Sequence, residues 1–428
     1  MGRNLIQRPR FFIDFPQYWR ARGVFPKSQY GYNDHISNSS DEPISGSLFG
    51  LDLNAQFETT GHIGEKYFEV RIWINGDSNT GSNYSDRDPI HAINEFEQIN
   101  YCAVFGHNLK SQGLCFKPTS YKGQEGGANT AVPVTGLEEI FNCTVSPPAG
   151  ENSDYAMPDY DGTSIFKFSG GSSSLYETDD SGANVDAVKC LRLLCMKVDG
   201  TNFTGNEVIS FSGVSFGRTF TMPRSPDLKT SVKYDYGINN KEGIDGSTFE
   251  QINWLEPKRL PTGYPSFYVK NNFNPNYDYI PTNNLLTEDR DIITATGRRT
   301  WTMKFTALAN SNLFPANPME TFYTNHVESN SITTGGYSSD HTEAQGAGNG
   351  EQYFKDNIST DTSFYSMVLN RTLGGSLPMI FQNFTDGNGY GDNNPGEFAI
   401  VKLGGRGLQF NANTFNTYNI GLTVRESW

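Results

Sequence analysis

Tyr418-Asn419-Ile420-Gly421-Leu422-Thr423-Val424-Arg425 is the stretch whose reading decides the fold. Tyr418, Ile420, Leu422 and Val424 alternate with Asn419, Gly421, Thr423 and Arg425, so a strand here carries one apolar face and one polar or small face. Trp428 keeps that parity, which ties the end of the sequence into a sheet and makes Arg425 and Trp428 expected assembly contacts. Upstream, Leu377-Pro378-Met379-Ile380-Phe381 and Phe398-Ala399-Ile400-Val401 are short apolar runs of the kind that buried strands show. Before them Phe364, Met367 and Val368 fall at i, i+3 and i+4, a short helix with one apolar face that Leu373-Gly374-Gly375 ends.

The same alternation recurs toward the start of the chain. Leu51, Leu53, Ala55 and Phe57 form one set, and Phe68, Val70, Ile72 and Ile74 another, set against Tyr67, Glu69, Arg71 and Trp73. Tyr101 to Phe105, Ser164 to Phe168, Cys190 to Val198 and Val208 to Phe216 add further strands, so the fold class is mainly β. An antiparallel β-sandwich, jelly-roll-like, is expected over 40–216, and a second β-rich domain with a short helix over 217–428. In that second block Leu228, Thr230, Val232, Tyr234 and Tyr236 alternate with charged and polar residues, and Trp301, Met303, Phe305 and Ala307 alternate with Thr300, Thr302, Lys304 and Thr306. Residues 238–292 lack periodicity and read as a long connection. Polar loops are expected at 76–88, 122–130, 170–184 and 329–350.

Residues 1–39 read as an extended N-terminal arm. Arg8, Arg10, Arg20, Arg22 and Lys27 are interleaved with Phe11, Phe12, Phe15, Tyr18 and Trp19, and Pro9 and Pro16 interrupt regular structure. Such an arm would lie over a neighbouring subunit, with Arg8, Phe11, Phe12 and Trp19 as its contacts.

Composition narrows the function classes. The chain has 428 residues, above the size at which a single core stops growing, which sets the expectation of more than one domain. With 33 basic and 47 acidic side chains the formal charge is −14, which repels phosphate backbones and anionic bilayers, so nucleic acid is not an expected partner. No apolar run is long enough for a membrane helix, and Met1 to Arg10 lacks the apolar centre of a signal peptide, so synthesis in the cytoplasm without membrane insertion is expected. The five cysteines, Cys102, Cys115, Cys143, Cys190 and Cys195, show no C-x-x-C spacing and read as free buried thiols.

Four blocks carry a resemblance: Leu5-Ile6-Gln7-Arg8-Pro9-Arg10-Phe11-Phe12-Ile13-Asp14, Met222-Pro223-Arg224-Ser225-Pro226-Asp227-Leu228, Gly297-Arg298-Arg299-Thr300-Trp301 with Asn312-Leu313-Phe314-Pro315, and Asn394-Pro395-Gly396-Glu397-Phe398-Ala399 with Arg425-Glu426-Ser427-Trp428. Taken in order along the chain they resemble uncharacterised virion structural proteins of tailed marine bacteriophages, and the ending is similar in style to distal-tail and minor-tail proteins. The resemblance implies a tail or baseplate component. It carries no catalytic residues.

Motifs of chemistry are sparse. The histidines His35, His62, His91, His107, His326 and His341 form no H-E-x-x-H pair and read as surface or turn residues. No catalytic residue is assigned, and the chain is expected not to be an enzyme. One candidate metal loop runs from Asp386 to Glu397, where Asp386, Asn388, Asp392 and Glu397 offer oxygen ligands around turn-making glycines, as a Ca2+ site would need. Tyr390 interrupts that pattern and strands flank it, so a solvated hairpin loop is the preferred reading, no cofactor is expected, and Ca2+ is the alternative. The expected function is a virion structural protein that contacts copies of itself and other virion proteins through its termini. The alternatives are an adhesin that binds a host surface glycan, a capsid decoration protein and a surface depolymerase.

Overall fold

A computed structural model describes residues 6–22, 27–31, 42–43, 48, 51, 57–60, 63–73, 99–122, 130–133, 137–168, 188–235, 238–242, 248–252, 298–315, 358, 361–385, 397–404 and 408–427. The chain begins with β1 (Arg10–Asp14), α1 (Phe15–Ala21), β2 (Lys27–Gly31), β3 (Glu42–Pro43), β4 (Phe57–Thr60) and β5 (Tyr67–Trp73). It continues through β6 (Tyr101–His107), β7 (Leu114–Lys122), β8 (Thr130–Pro133), β9 (Leu137–Phe141), β10 (Thr144–Ser146), β11 (Tyr155–Met157), β12 (Gly162–Phe168) and β13 (Val188–Lys197). Then come β14 (Val208–Phe211), β15 (Gly213–Thr221), β16 (Ser231–Asp235), β17 (Ile238–Glu242), β18 (Thr248–Ile252), β19 (Arg298–Ala309) and α2 (Asn310–Leu313). A π-helical turn at Tyr365–Asn370 precedes β20 (Met379–Gln382), β21 (Phe398–Gly404), β22 (Phe410–Thr414) and β23 (Thr417–Glu426).

Two large sheets hold nearly all of these strands, and every named strand pair is antiparallel, so the mainly β fold class is as the alternation implied. The larger sheet has 11 strands in the order β16-β19-β23-β21-β20-β1-β15-β6-β12-β9, with β22 beside β23. The smaller has 8, in the order β10-β11-β7-β13-β5-β2-β3, with β8 beside β7. One face of the larger sheet supplies Cys102, Val104, Phe166, Val214, Trp301, Met303, Phe381 and Leu422 to a core shared with Phe68, Val70, Phe116, Leu193 and Cys195 of the smaller sheet. Phe116 meets Phe166 edge-on at 5.2 Å across that interface. Alternation explains the arrangement: each strand has one apolar set to bury, and two such faces bury each other. The opposite face of the larger sheet carries a second cluster, including Phe12, Tyr101, Phe105, Ile165, Ile380, Phe398 and Ile400.

The N-terminal expectation is corrected. Residues 10–21 do not extend as an arm; Arg10–Asp14 is a central strand whose five residues are all buried. It pairs with β15 on one side (Phe11↔Phe220) and with β20 on the other (Phe11↔Phe381). An unbroken Phe11-Phe12-Ile13 run suits a strand covered on both faces, because neither face has to meet water. The boundary expected between 216 and 217 falls inside β15, whose register continues from Gly213↔Phe105 on β6 to Thr221↔Arg10 on β1. Strands from both expected domains therefore share one sheet.

Elsewhere the alternation holds with one shift. Ile420, Leu422 and Val424 are buried in β23, as are Trp301, Met303 and Phe305 in β19. Ala307 does not continue the buried set. It adopts φ 53 at a bulge where the register slips between Phe305 and Leu308, and Leu308 goes inside in its place. The Asn419 side chain accepts the freed Ala307 N–H at 3.0 Å, so the bulge is held. The short helix expected from Phe364 is a π-helical turn that ends at Asn370, with Met367 and Val368 buried, and Leu373, Gly374 and Gly375, all with positive φ, follow it. Within the expected 238–292 connection, β17 and β18 form a hairpin. The remaining residues of that connection, and the loops at 76–88 and 329–350, lie outside the described residues.

Candidate functional site

The joint between β1 and α1 gathers more chemistry than any other described part of the chain. Pro16 occupies the first turn of α1, where its missing N–H costs nothing, and Asp14 precedes the helix with extended backbone. The helix turns Phe15, Tyr18 and Trp19 inward, and Phe15 meets Trp19 at 6.0 Å. The Arg371 guanidinium stands 4.5 Å from the Phe15 ring and 5.7 Å from the Tyr18 ring, so a buried cation is held against two π faces. Arg22 donates to the Tyr18 hydroxyl at 2.7 Å.

On the other face of β1, Asp14 is buried beside Ser215 and Tyr101. The Ser215 hydroxyl donates to Asp14 Oδ1 at 2.9 Å, and Tyr101 Oη lies 2.9 Å from Ser215 Oγ. Burial pushes the Asp14 carboxyl up to about 7, against the pull of Ser215, Arg20 and the Gln17 backbone. Burial also raises the Tyr101 phenol well above its ordinary value. Phe12 contacts the Tyr101 ring edge-on at 5.2 Å, so the three polar groups sit among apolar neighbours.

The expected contact residues separate into three groups. Phe11, Phe12 and Trp19 are buried within the chain's own core and offer no surface to another molecule. Arg8 is half-buried with φ 44, and its carbonyl accepts from Thr385 Oγ1 at 2.9 Å. Arg425 is exposed on β23, whereas Trp428 lies outside the described residues. Asp386, Asn388 and Asp392 of the candidate Ca2+ loop also lie outside them, and Glu397 is buried next to β21. Among the described residues no group of three or more His, Cys, Asp or Glu is placed to hold a metal ion.

His107 is corrected from a surface or turn residue to a core residue, 2% exposed. Its Nδ1 accepts the Leu109 N–H at 3.3 Å, which leaves Nε2–H to donate to Ser164 Oγ at 2.8 Å. The Ser164 hydroxyl donates to the Asn142 carbonyl at 2.8 Å, and the Asn142 side chain donates to the Tyr160 and Thr163 carbonyls. Ser164 is fully buried, and the His107 ring nitrogens are engaged by the Leu109 N–H and by Ser164 itself. These bonds form a structural network that fixes the β6–β12 end of the sheet. The sequence signal for His107 was its place at the end of the apolar Tyr101 to Phe105 run, which β6 extends to His107.

Large apolar side chains do reach water elsewhere. Leu228 is fully exposed and Phe415 is 91% exposed, with Ile63, Leu373 and Tyr234 less so. The Leu228 loop is fastened to β19 through Asp227, whose N–H donates to the Lys304 carbonyl at 2.7 Å and whose carboxylate accepts from Thr306 Oγ1 at 2.9 Å. Phe415 sits at the tip of the β22–β23 hairpin, where the Asn416 carbonyl accepts from the Asn310 N–H at 2.9 Å. The first loop is thus anchored to the later half of β19 and the second to Asn310, the residue that follows that strand. Among the described residues no helix is long and apolar enough to cross a membrane. No protein-family model, no curated protein and no solved structure matches the chain.

Proposed function

We propose that the chain is a structural component of a tailed-phage virion, associated with the tail or baseplate, that assembles with copies of itself and with other virion proteins. The observation that carries the reading is the exposure of Leu228 and Phe415, two large apolar side chains held out in water on loops fastened to the later half of β19 and to Asn310 just after it. Neither contributes to the chain's own core, and burying both against a neighbour would release apolar surface that folding leaves exposed. The ordered blocks that resemble virion proteins support the same reading. So does the architecture, since β1 and β23 lie within one 11-stranded antiparallel sheet. The contacts proposed from the termini move accordingly: Phe11, Phe12 and Trp19 serve the fold, and Arg425, Leu228 and Phe415 serve the neighbour.

The test is a Leu228→Ser, Phe415→Ser double variant, compared with wild type for thermal stability and for incorporation into particles. Unchanged stability with lost incorporation is the expected result. Normal incorporation of a fully folded double variant overturns the contact and, with it, this reading.

A further inference from the structure

Asp14 closes β1 and opens α1, and its last β-sheet pairing is with Gly217 of β15. It is 3% exposed, in the middle of the larger sheet. Its Oδ1 accepts the Ser215 hydroxyl, and because that hydroxyl proton is committed to Asp14, the Tyr101 hydroxyl is the donor to Ser215. Its Oδ2 has no hydrogen-bond partner. An ionised carboxylate with one bare oxygen among Phe12 and Tyr101 is the costly state, and the neutral acid is the one that the site fits.

Each element packed against this joint presents its own polar groups. From α1, Arg20 supplies the opposite charge that Asp14 feels. From β15 come Ser215 and, paired in register with Ile13, Arg218, which is itself influenced by Arg371 and Asp361. From β6 comes Tyr101. On β1, Arg10 shares the Asp14 face and donates through Nε to Thr221 Oγ1 at 3.1 Å. From the end of the π-helical turn, Arg371 lies over Phe15 and Tyr18.

We infer that Asp14 is a proton-operated latch: the neutral acid keeps β1 and α1 seated in the larger sheet, and loss of its proton loosens that unit before the rest of the fold. The joint is where a carboxylate gains water with the least disruption, since lifting α1 and the last pairing of β1 uncovers it. The direction follows from burial. The folded-state value of about 7 lies above the ordinary 3.8, so the stabilisation is fully present below the ordinary value and is lost as pH rises through 7.

Hydrogen exchange read by mass spectrometry, wild type against Asp14→Asn at each pH, tests this. In the wild type, protection of peptides covering 6–22 falls by about tenfold per pH unit between about pH 4 and pH 7 relative to the variant, the slope of one proton, and the fall levels off above 7, while peptides from β12 do not diverge. Identical profiles for the two proteins overturn the latch. Should Asp14→Asn fail to fold, infrared spectra of wild type carrying carbon-13 aspartate decide. A protonated carboxyl band present at pH 6 and lost by pH 8.5, its loss coinciding with the levelling of the fall in protection over 6–22, supports the latch. Its absence at pH 6 overturns it.

Discussion

Glu426 holds Arg299 twice: its Oε2 accepts the Arg299 backbone N–H at 2.6 Å and its Oε1 accepts Nε at 2.6 Å. Arg299 Nη2 then donates to the Phe398 carbonyl at 3.0 Å, so one buried pair fastens β19, β23 and β21 together. The guanidinium also lies 4.9 Å from the Trp301 ring. Glu426→Ala strands a buried cation and is expected to cost about 3 to 5 kcal/mol, because the cost is that of the charge left behind. Urea unfolding measures it. Exchanging both partners for a well-packed apolar pair is expected to recover most of the loss, which identifies the pair as a register device rather than a source of stability.

Phe11 and Phe415 form a matched contrast. Phe11 is fully buried between Phe381 at 5.3 Å and Phe364 at 6.3 Å, so Phe11→Ala is expected to destabilise by about 3 to 5 kcal/mol. Phe415→Ala, at an exposed hairpin tip, is expected to stay within about 0.5 kcal/mol. Equal losses in chemical unfolding would mean that the two rings share a folding role.

Gly217 permits a close approach of β15 to β1. A Cβ built there collides with the Ile13 carbonyl oxygen and crowds the Tyr101 ring. Backbone cannot yield as a flexible side chain can, so Gly217→Ala is expected to cost about 3 kcal/mol and to pry β1 from β15. The check is a loss of hydrogen-exchange protection over residues 10–14 larger than that over β12.

His107 gives a pH dependence of opposite sense to that of Asp14. Burial lowers it from 6.5 to about 4, so the fold holds it neutral while an unfolded chain would protonate it. Its contribution is present above 6.5 and is lost as pH falls through 4, by about 3 kcal/mol. His107→Gln is expected to flatten the fall in unfolding midpoint between pH 6.5 and pH 4. The slope retained unchanged in that variant would assign it to other groups.

What the residues revealed and what they hid divides by range. The alternation in β23 and the apolar parity of β19 up to Phe305 are local properties, and the strands formed where they stood. The bulge at Ala307 was hidden because its cause, the Asn419 side chain, belongs to another strand. The N-terminal strand was hidden more deeply. Its basic and aromatic mixture reads as an arm, and only β15 and β20, far away in sequence, convert Phe11 and Phe12 from surface anchors into core. The Asp14 joint was invisible for the same reason, since Ser215 and Tyr101 reach it from strands that only the sheet brings near. Four of the cysteines, Cys102, Cys115, Cys143 and Cys195, are free and buried, as their spacing implied.

The seat of β1 has a consequence for biosynthesis. Its first neighbour, β15, emerges from the ribosome long after it, and its second, β20, later still. A nascent chain must therefore carry Phe11-Phe12-Ile13 with both flanks unclaimed through most of translation, an adhesive segment awaiting distant mates. Yield in an expressing cell should accordingly track chaperone supply more steeply than the equilibrium stability of the finished molecule would suggest.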